Sequence, residues 1–156
     1  MSTTLSPTNS RLSDTEYVME RTFAAPPERV FEAYTTPSLL AQWWGQRQNS
    51  TTVLELDARP GGHWRFIQRD PAGVAYEFFG EYLEVSPARL VNTFEFAGFP
   101  GHVVTDAVTF QPEGAGTRVV ATSTFASKED LDGMLASGME SGATESWDRL
   151  AELLAR

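Results

Sequence analysis

Ala25-Pro26-Pro27-Glu28-Arg29-Val30-Phe31-Glu32-Ala33-Tyr34-Thr35-Thr36-Pro37-Ser38-Leu39-Leu40-Ala41-Gln42-Trp43-Trp44-Gly45 reads as a short helical hairpin ending in a tryptophan pair. A proline at the head of each segment pre-sets φ for a first helical turn, and Val30, Phe31 and Tyr34 then share one helical face. Just upstream, Glu16 to Ala24 favours a strand, and the proline pair switches the hydrophobic period from two towards 3.6. Two short helices wedged between strands suit the mouth of a pocket better than a plain core.

Downstream, strand-length segments alternate with turn chemistry: Arg59-Pro60-Gly61-Gly62, Asp70-Pro71-Ala72-Gly73, Ser86-Pro87, Gly98-Phe99-Pro100-Gly101 and Pro112-Glu113-Gly114-Ala115-Gly116. Six strands fit, over about 51–58, 62–69, 75–85, 89–97, 102–111 and 116–125. Connections this short favour antiparallel neighbours, because a parallel crossover needs a dozen or more residues. Ser127 is a plausible N-cap for a closing helix that runs to the C-terminus, with Asp130 in its first turn and an apolar stripe through Leu131, Met134, Leu135, Trp147, Leu150, Leu153 and Leu154. Gly138 and Gly142 lie within that helix, which points to a kink or a close approach. Residues 1–14 carry too little apolar surface to offset the entropy of ordering them, so a disordered tail is expected there and a single domain over 15–156.

The chain has 156 residues, 41% hydrophobic and 21% charged, with a formal charge of -9. That charge repels phosphate backbones and anionic surfaces, so nucleic acid is not an expected partner. The chain has no cysteine, which removes disulfides, thiolate nucleophiles and cysteine-held metals. No apolar run approaches the roughly 18 residues of a membrane span and no signal peptide is visible, so no membrane insertion and a cytoplasmic location are expected. With two histidines and no His-Glu-x-x-His pattern, no metal is expected. No phosphate loop or nucleophile elbow is present, so no cofactor and no catalytic residue are assigned.

Strand alternation puts one set of side chains on a concave face: Leu54 and Leu56, Trp64 and Phe66, Tyr76, Phe78 and Tyr82, Phe94 and Phe96. Their neighbours Glu55, Asp57, Arg65, Glu77, Glu81 and Glu95 form a charged face opposite, subject to inversion by any bulge. The competing reading of the aromatic face is a filled core. Tyrosine hydroxyls and indole N–H groups need partners when buried, and apolar pockets with a few polar groups are how small-molecule sites are built. Asp106 shares its strand face with Val108 and Phe110, so its carboxylate is either turned inward with a raised pKa or hydrated at the strand's mouth. His63 and His102 flank glycine-bearing turns and read as turn residues.

Arg21-Thr22-Phe23-Ala24-Ala25-Pro26, Trp43-Trp44-Gly45, Arg59-Pro60-Gly61-Gly62-His63-Trp64-Arg65-Phe66, Gly80-Glu81-Tyr82-Leu83-Glu84-Val85 and Gly116-Thr117-Arg118-Val119, in that order, resemble the branch of the START/Bet v 1-like (SRPBCC) superfamily named after the activator of Hsp90 ATPase. The likeness spans about Glu16 to Ala155. It implies an α+β helix-grip fold, in which a curved antiparallel sheet of about seven strands wraps a long C-terminal helix around a hydrophobic cavity. The expected function is binding of a small hydrophobic, aromatic or lipid-like molecule by Trp43, Trp44, Trp64, Phe66, Tyr76, Phe78, Tyr82, Phe94, Phe96, Asp106, Met134 and Met139. The alternatives are a cyclase or dehydratase in the same cavity, with Asp106, Tyr76 or Tyr82 moving protons, and a chaperone-associated or stress-response interaction module acting through the acidic surface. A symmetric homodimer is the base-rate expectation for assembly.

Overall fold

Along Glu16–Phe23, Tyr17, Met19, Arg21 and Phe23 are buried while the residues between them are not, so this strand turns one face to the interior. The computed structural model describes residues 8–156. In chain order the elements are β1 (Thr8–Arg11), β2 (Glu16–Phe23), α1 (Pro27–Thr35), α2 (Pro37–Leu40), β3 (Ser50–Leu56), β4 (His63–Arg69), β5 (Ala75–Ser86), β6 (Arg89–Phe96), β7 (Val104–Glu113), β8 (Gly116–Thr124), α3 (Lys128–Ala136) and α4 (Met139–Leu154). The strands form one sheet in the order β1-β2-β8-β7-β6-β5-β4-β3, antiparallel at every pairing. This is the α+β helix-grip arrangement, with the helices on the concave side.

Three expectations are corrected. The sheet has eight strands rather than about seven, because Thr8–Arg11 pairs with β2 and is not part of a tail. That segment buries little. It is held instead by the backbone groups that β2 offers at its open edge and by the ion pair of Arg11 with Asp132 on α3, 2.6 Å apart. Residues 1–7 of the expected tail lie outside the described residues. The long closing helix is two helices, because Gly138 sits at φ 90°, a left-handed conformation that ends α3 and starts α4 at a new angle. Leu54 faces out, 52% exposed, because the β3–β4 register shifts between Val53 and Glu55, and Val53 takes its place against the core. A second shift between Tyr82 and Glu84 leaves Leu83 and Glu84 both outward and brings Val85 inward.

The helices cover only part of the concave face. Each helix of the first pair starts on a proline. Helix α1 packs on β7, β8 and α4, and the C-terminal half of α4 buries Trp147, Leu150, Leu153 and Leu154 beside it. Arginines tie this end together. Arg21 bonds Asp148 at 2.7 Å, Arg29 donates to the Leu154 carbonyl at 3.0 Å, and Arg149 donates to the carbonyls of Gln42 and Gly45, each at 2.9 Å. Ser127 caps α3 by accepting from the Asp130 amide at 3.1 Å.

Gly80 on β5 stands opposite Trp64 on β4. A Cβ at Gly80 would lie 1.9 Å from the Thr93 carbonyl oxygen and 2.6 Å from Trp64 Nε1. The space it leaves lets the Trp64 indole donate to the Thr93 carbonyl at 3.1 Å.

Candidate functional site

Between the uncovered part of the sheet and the α3–α4 junction lies a cavity of about 1290 Å³. All twelve residues expected at a ligand site border it. Their roles differ with their surroundings.

Seven aromatic rings make one connected wall. Trp44 meets Phe66 and Phe78 edge-on at 5.2 and 5.4 Å, and Trp64 lies 4.7 Å from Phe66 and 5.9 Å from Phe94. Phe78 stacks on Phe94 at 5.5 Å and on Phe96 at 5.2 Å, and Tyr76 closes the series 6.3 Å from Phe96. Such pairs contribute roughly 0.5–1.5 kcal/mol each beyond burial, which fixes ring positions without filling the space in front of them. Trp44 is set by its own backbone: its carbonyl accepts from Thr51 Oγ1 at 2.6 Å and from the buried Gln68 Nε2 at 3.0 Å.

Other expected residues sit at the edges. Trp43 is 3% exposed, donates to the Ala33 carbonyl at 2.9 Å and packs on Tyr34, so it supports the wall rather than presenting a free group. Tyr76 is at the rim, its hydroxyl bonded to Asp70 at 3.3 Å. Met134 and Met139 flank the break between α3 and α4 and face the cavity from the helical side. His63 is exposed on the convex face. His102 does more than make a turn: it stacks on Phe99 at 3.7 Å and places Nδ1 2.8 Å from the Asp130 carboxylate, tying the β6–β7 loop to α3 at the cavity edge.

Asp106 faces inward. Burial pushes its pKa up to about 6, against the opposing effect of Ser123, whose hydroxyl donates to Oδ1 at 2.7 Å. Tyr34 on α1 lies near enough for the Asp106 charge to add to the rise that burial gives its own pKa, and its hydroxyl accepts the Trp147 indole hydrogen at 3.0 Å. Burial also lifts Tyr82 to about 12.

Several cavity residues escaped the sequence reading. Asn92 and Ser123 flank Asp106 only through cross-strand register, which no single strand reveals. Tyr17 and Tyr34 had a visible signal, an inward position on a strand and on a helix, together with a hydroxyl that needs a partner.

The fold and cavity define an α+β protein of the helix-grip class, with an aromatic wall opposed by a broken helix. The chain belongs to the family described as Activator of Hsp90 ATPase homolog 1-like protein, whose model matches residues 24–155. Among solved structures it is similar to protein Ms6760 from Mycobacterium smegmatis, at 28% identity and a TM-score of 0.85 over 97% of this chain and 96% of that one. It is also similar to protein CV1439 from Chromobacterium violaceum, at 29% identity and a TM-score of 0.82 over 92% and 99% of the two chains. A Rhodobacter sphaeroides protein matches at 26% identity and a TM-score of 0.87 over 96% and 97%. Among curated proteins none matches the chain. No helix among the described residues is long and apolar enough to cross a membrane.

Proposed function

We propose that the protein binds a small hydrophobic molecule, with an aromatic or extended apolar body, in the cavity between the sheet and the α3–α4 break. The observation that carries this reading is the aromatic wall itself. Trp44, Phe78, Phe94 and Phe96 point inward yet keep part of each ring uncovered, facing a space of about 1290 Å³. Apolar surface left uncovered inside a fold costs about 25 cal/mol per Å² relative to burial, and an apolar guest recovers that energy.

The neutral dye N-phenyl-1-naphthylamine tests it. Native protein should bind the dye saturably with a blue-shifted rise in fluorescence, and Phe94→Trp, which enlarges a ring in the middle of the wall, should weaken binding by about tenfold, or roughly 1.4 kcal/mol. Absence of saturable binding to the folded protein overturns the proposal.

A further inference from the structure

Five polar residues cross the concave face in a single row. In the strand registers Tyr82 on β5 stands opposite Asn92 on β6, Asn92 opposite Asp106 on β7, Asp106 opposite Ser123 on β8, and Ser123 opposite Tyr17 on β2. Directly opposed residues of antiparallel strands share a face, and all five border the cavity. On one side the row adjoins the aromatic wall through Tyr82. On the other it reaches α4, where the Tyr17 hydroxyl donates to Glu140.

The row has one centre of negative charge and a donor without a partner. Asp106 accepts a single hydrogen bond among the described residues, from Ser123, which leaves carboxylate lone pairs directed to the cavity. Tyr82 is 5% exposed, yet its hydroxyl bonds to nothing among the described residues. The hydroxyl oxygen is not itself sealed off: it opens to the cavity, where an acceptor on a guest can meet it.

The charge around the row is one-sided. No lysine or arginine borders the cavity among the described residues, whereas Asp70, Asp106, Glu129 and Asp130 do. The basic side chain His102 is already paired with Asp130 at the edge. A guest that brought its own carboxylate would meet Asp106 with no counter-charge in a low-dielectric space. A guest hydroxyl would donate to Asp106 and accept from Tyr82, whereas a guest ammonium would donate to Asp106 and leave Tyr82 hydrated, and the nearby ring faces attract cations.

We propose that this row is the polar end of the binding site, and that it selects an apolar molecule ending in a hydroxyl or protonated amine while rejecting the matching carboxylic acid. The proposal rests on the cavity being a ligand site. Its own content is the head-group rule and the assignment of that rule to Asp106.

Displacement of N-phenyl-1-naphthylamine by decylamine, decanol and decanoate, each below its micellar concentration at pH 8, separates the two. The wild-type protein should rank amine and alcohol at least tenfold above acid. Asp106→Asn keeps the shape and the Ser123 bond while removing the charge. It should cut the amine's advantage over the acid by about tenfold and change decanol binding less than threefold. Because the ranking is read on wild-type protein, it stands even where a variant fails to fold. Equal competition by all three, or a ranking that Asp106→Asn leaves intact, overturns the head-group rule and leaves the cavity reading standing. Failure of the dye to bind overturns both.

Discussion

Phe23, Val30, Val119 and Leu150 have no exposed surface at one end of the concave face, whereas at the other end Trp44, Phe78, Phe94 and Phe96 each keep part of a ring uncovered. Both ends are built from large apolar side chains on regular strands, so composition does not distinguish them. The difference lies in what is laid over the strands. Helix α1 and the C-terminal half of α4 press onto β2, β7 and β8, with Phe23 and Trp147 in edge contact at 5.5 Å and Tyr34 against Phe110 at 5.2 Å. Over β4 to β6 the helical layer is interrupted at Gly138. A core and a cavity wall are thus the same surface with and without a lid of side chains.

Truncation gives the sharpest contrast between the two ends. Leu150→Ala should cost about 3 kcal/mol, since it opens a void where packing is complete, and should lower Tm by about 10 °C. Phe78→Ala removes more atoms but widens a space that already exists, so about 1–2 kcal/mol is expected. Chemical denaturation of both variants checks the order, and a larger loss for Phe78→Ala would mean that the aromatic wall is core after all.

The pH dependence of Asp106 comes next in size. Its ordinary value is 3.8 and its value in the fold is about 6, so the stabilising preference for the protonated form is fully present below about pH 3.8 and is lost as pH rises through 6. Stability should therefore fall between pH 4 and pH 7, by on the order of 2 kcal/mol once the openness of the cavity to water is allowed for. Asp106→Asn should remove that slope and be the more stable protein at pH 8, with no advantage at pH 3.5. Parallel denaturation curves for the two proteins across that range would show that Asp106 sits in water rather than in the wall.

The smallest effects test the helix break. Gly138→Ala forces a side chain into the left-handed region at φ 90° and should cost about 1 kcal/mol, although its Cβ would meet nothing closer than Ser141 Oγ at 3.7 Å. Gly142→Ala lies inside α4 with only ordinary contact to Gln46 at 3.6 Å, and should stabilise by about 0.5–1 kcal/mol. Equal signs for the two would mean a continuous helix and a narrower cavity.

These regions were not equally legible in the sequence. The strands, the proline-started helices and the turn chemistry are local signals, and they marked β2 to β8 and the inward aromatic residues. Leu54 misled because a bulge shifts alternation by one residue, and the bulge is set by the partner strand rather than by the strand that carries it. β1 was missed because its pairing depends on the edge that β2 offers and not on its own apolar content. Asp106 stood out by position, but the row that surrounds it exists only once five strands are in register.

Gly80 is a place where the cavity is shaped by an atom that the chain lacks. A methyl group there would have to push aside either the Thr93 carbonyl or the Trp64 indole, and so loosen β5 from its neighbours. The seating of a wall tryptophan thus depends on a backbone position with no side chain of its own. A lineage of such proteins could shift a lining ring by changing a residue that lines nothing itself.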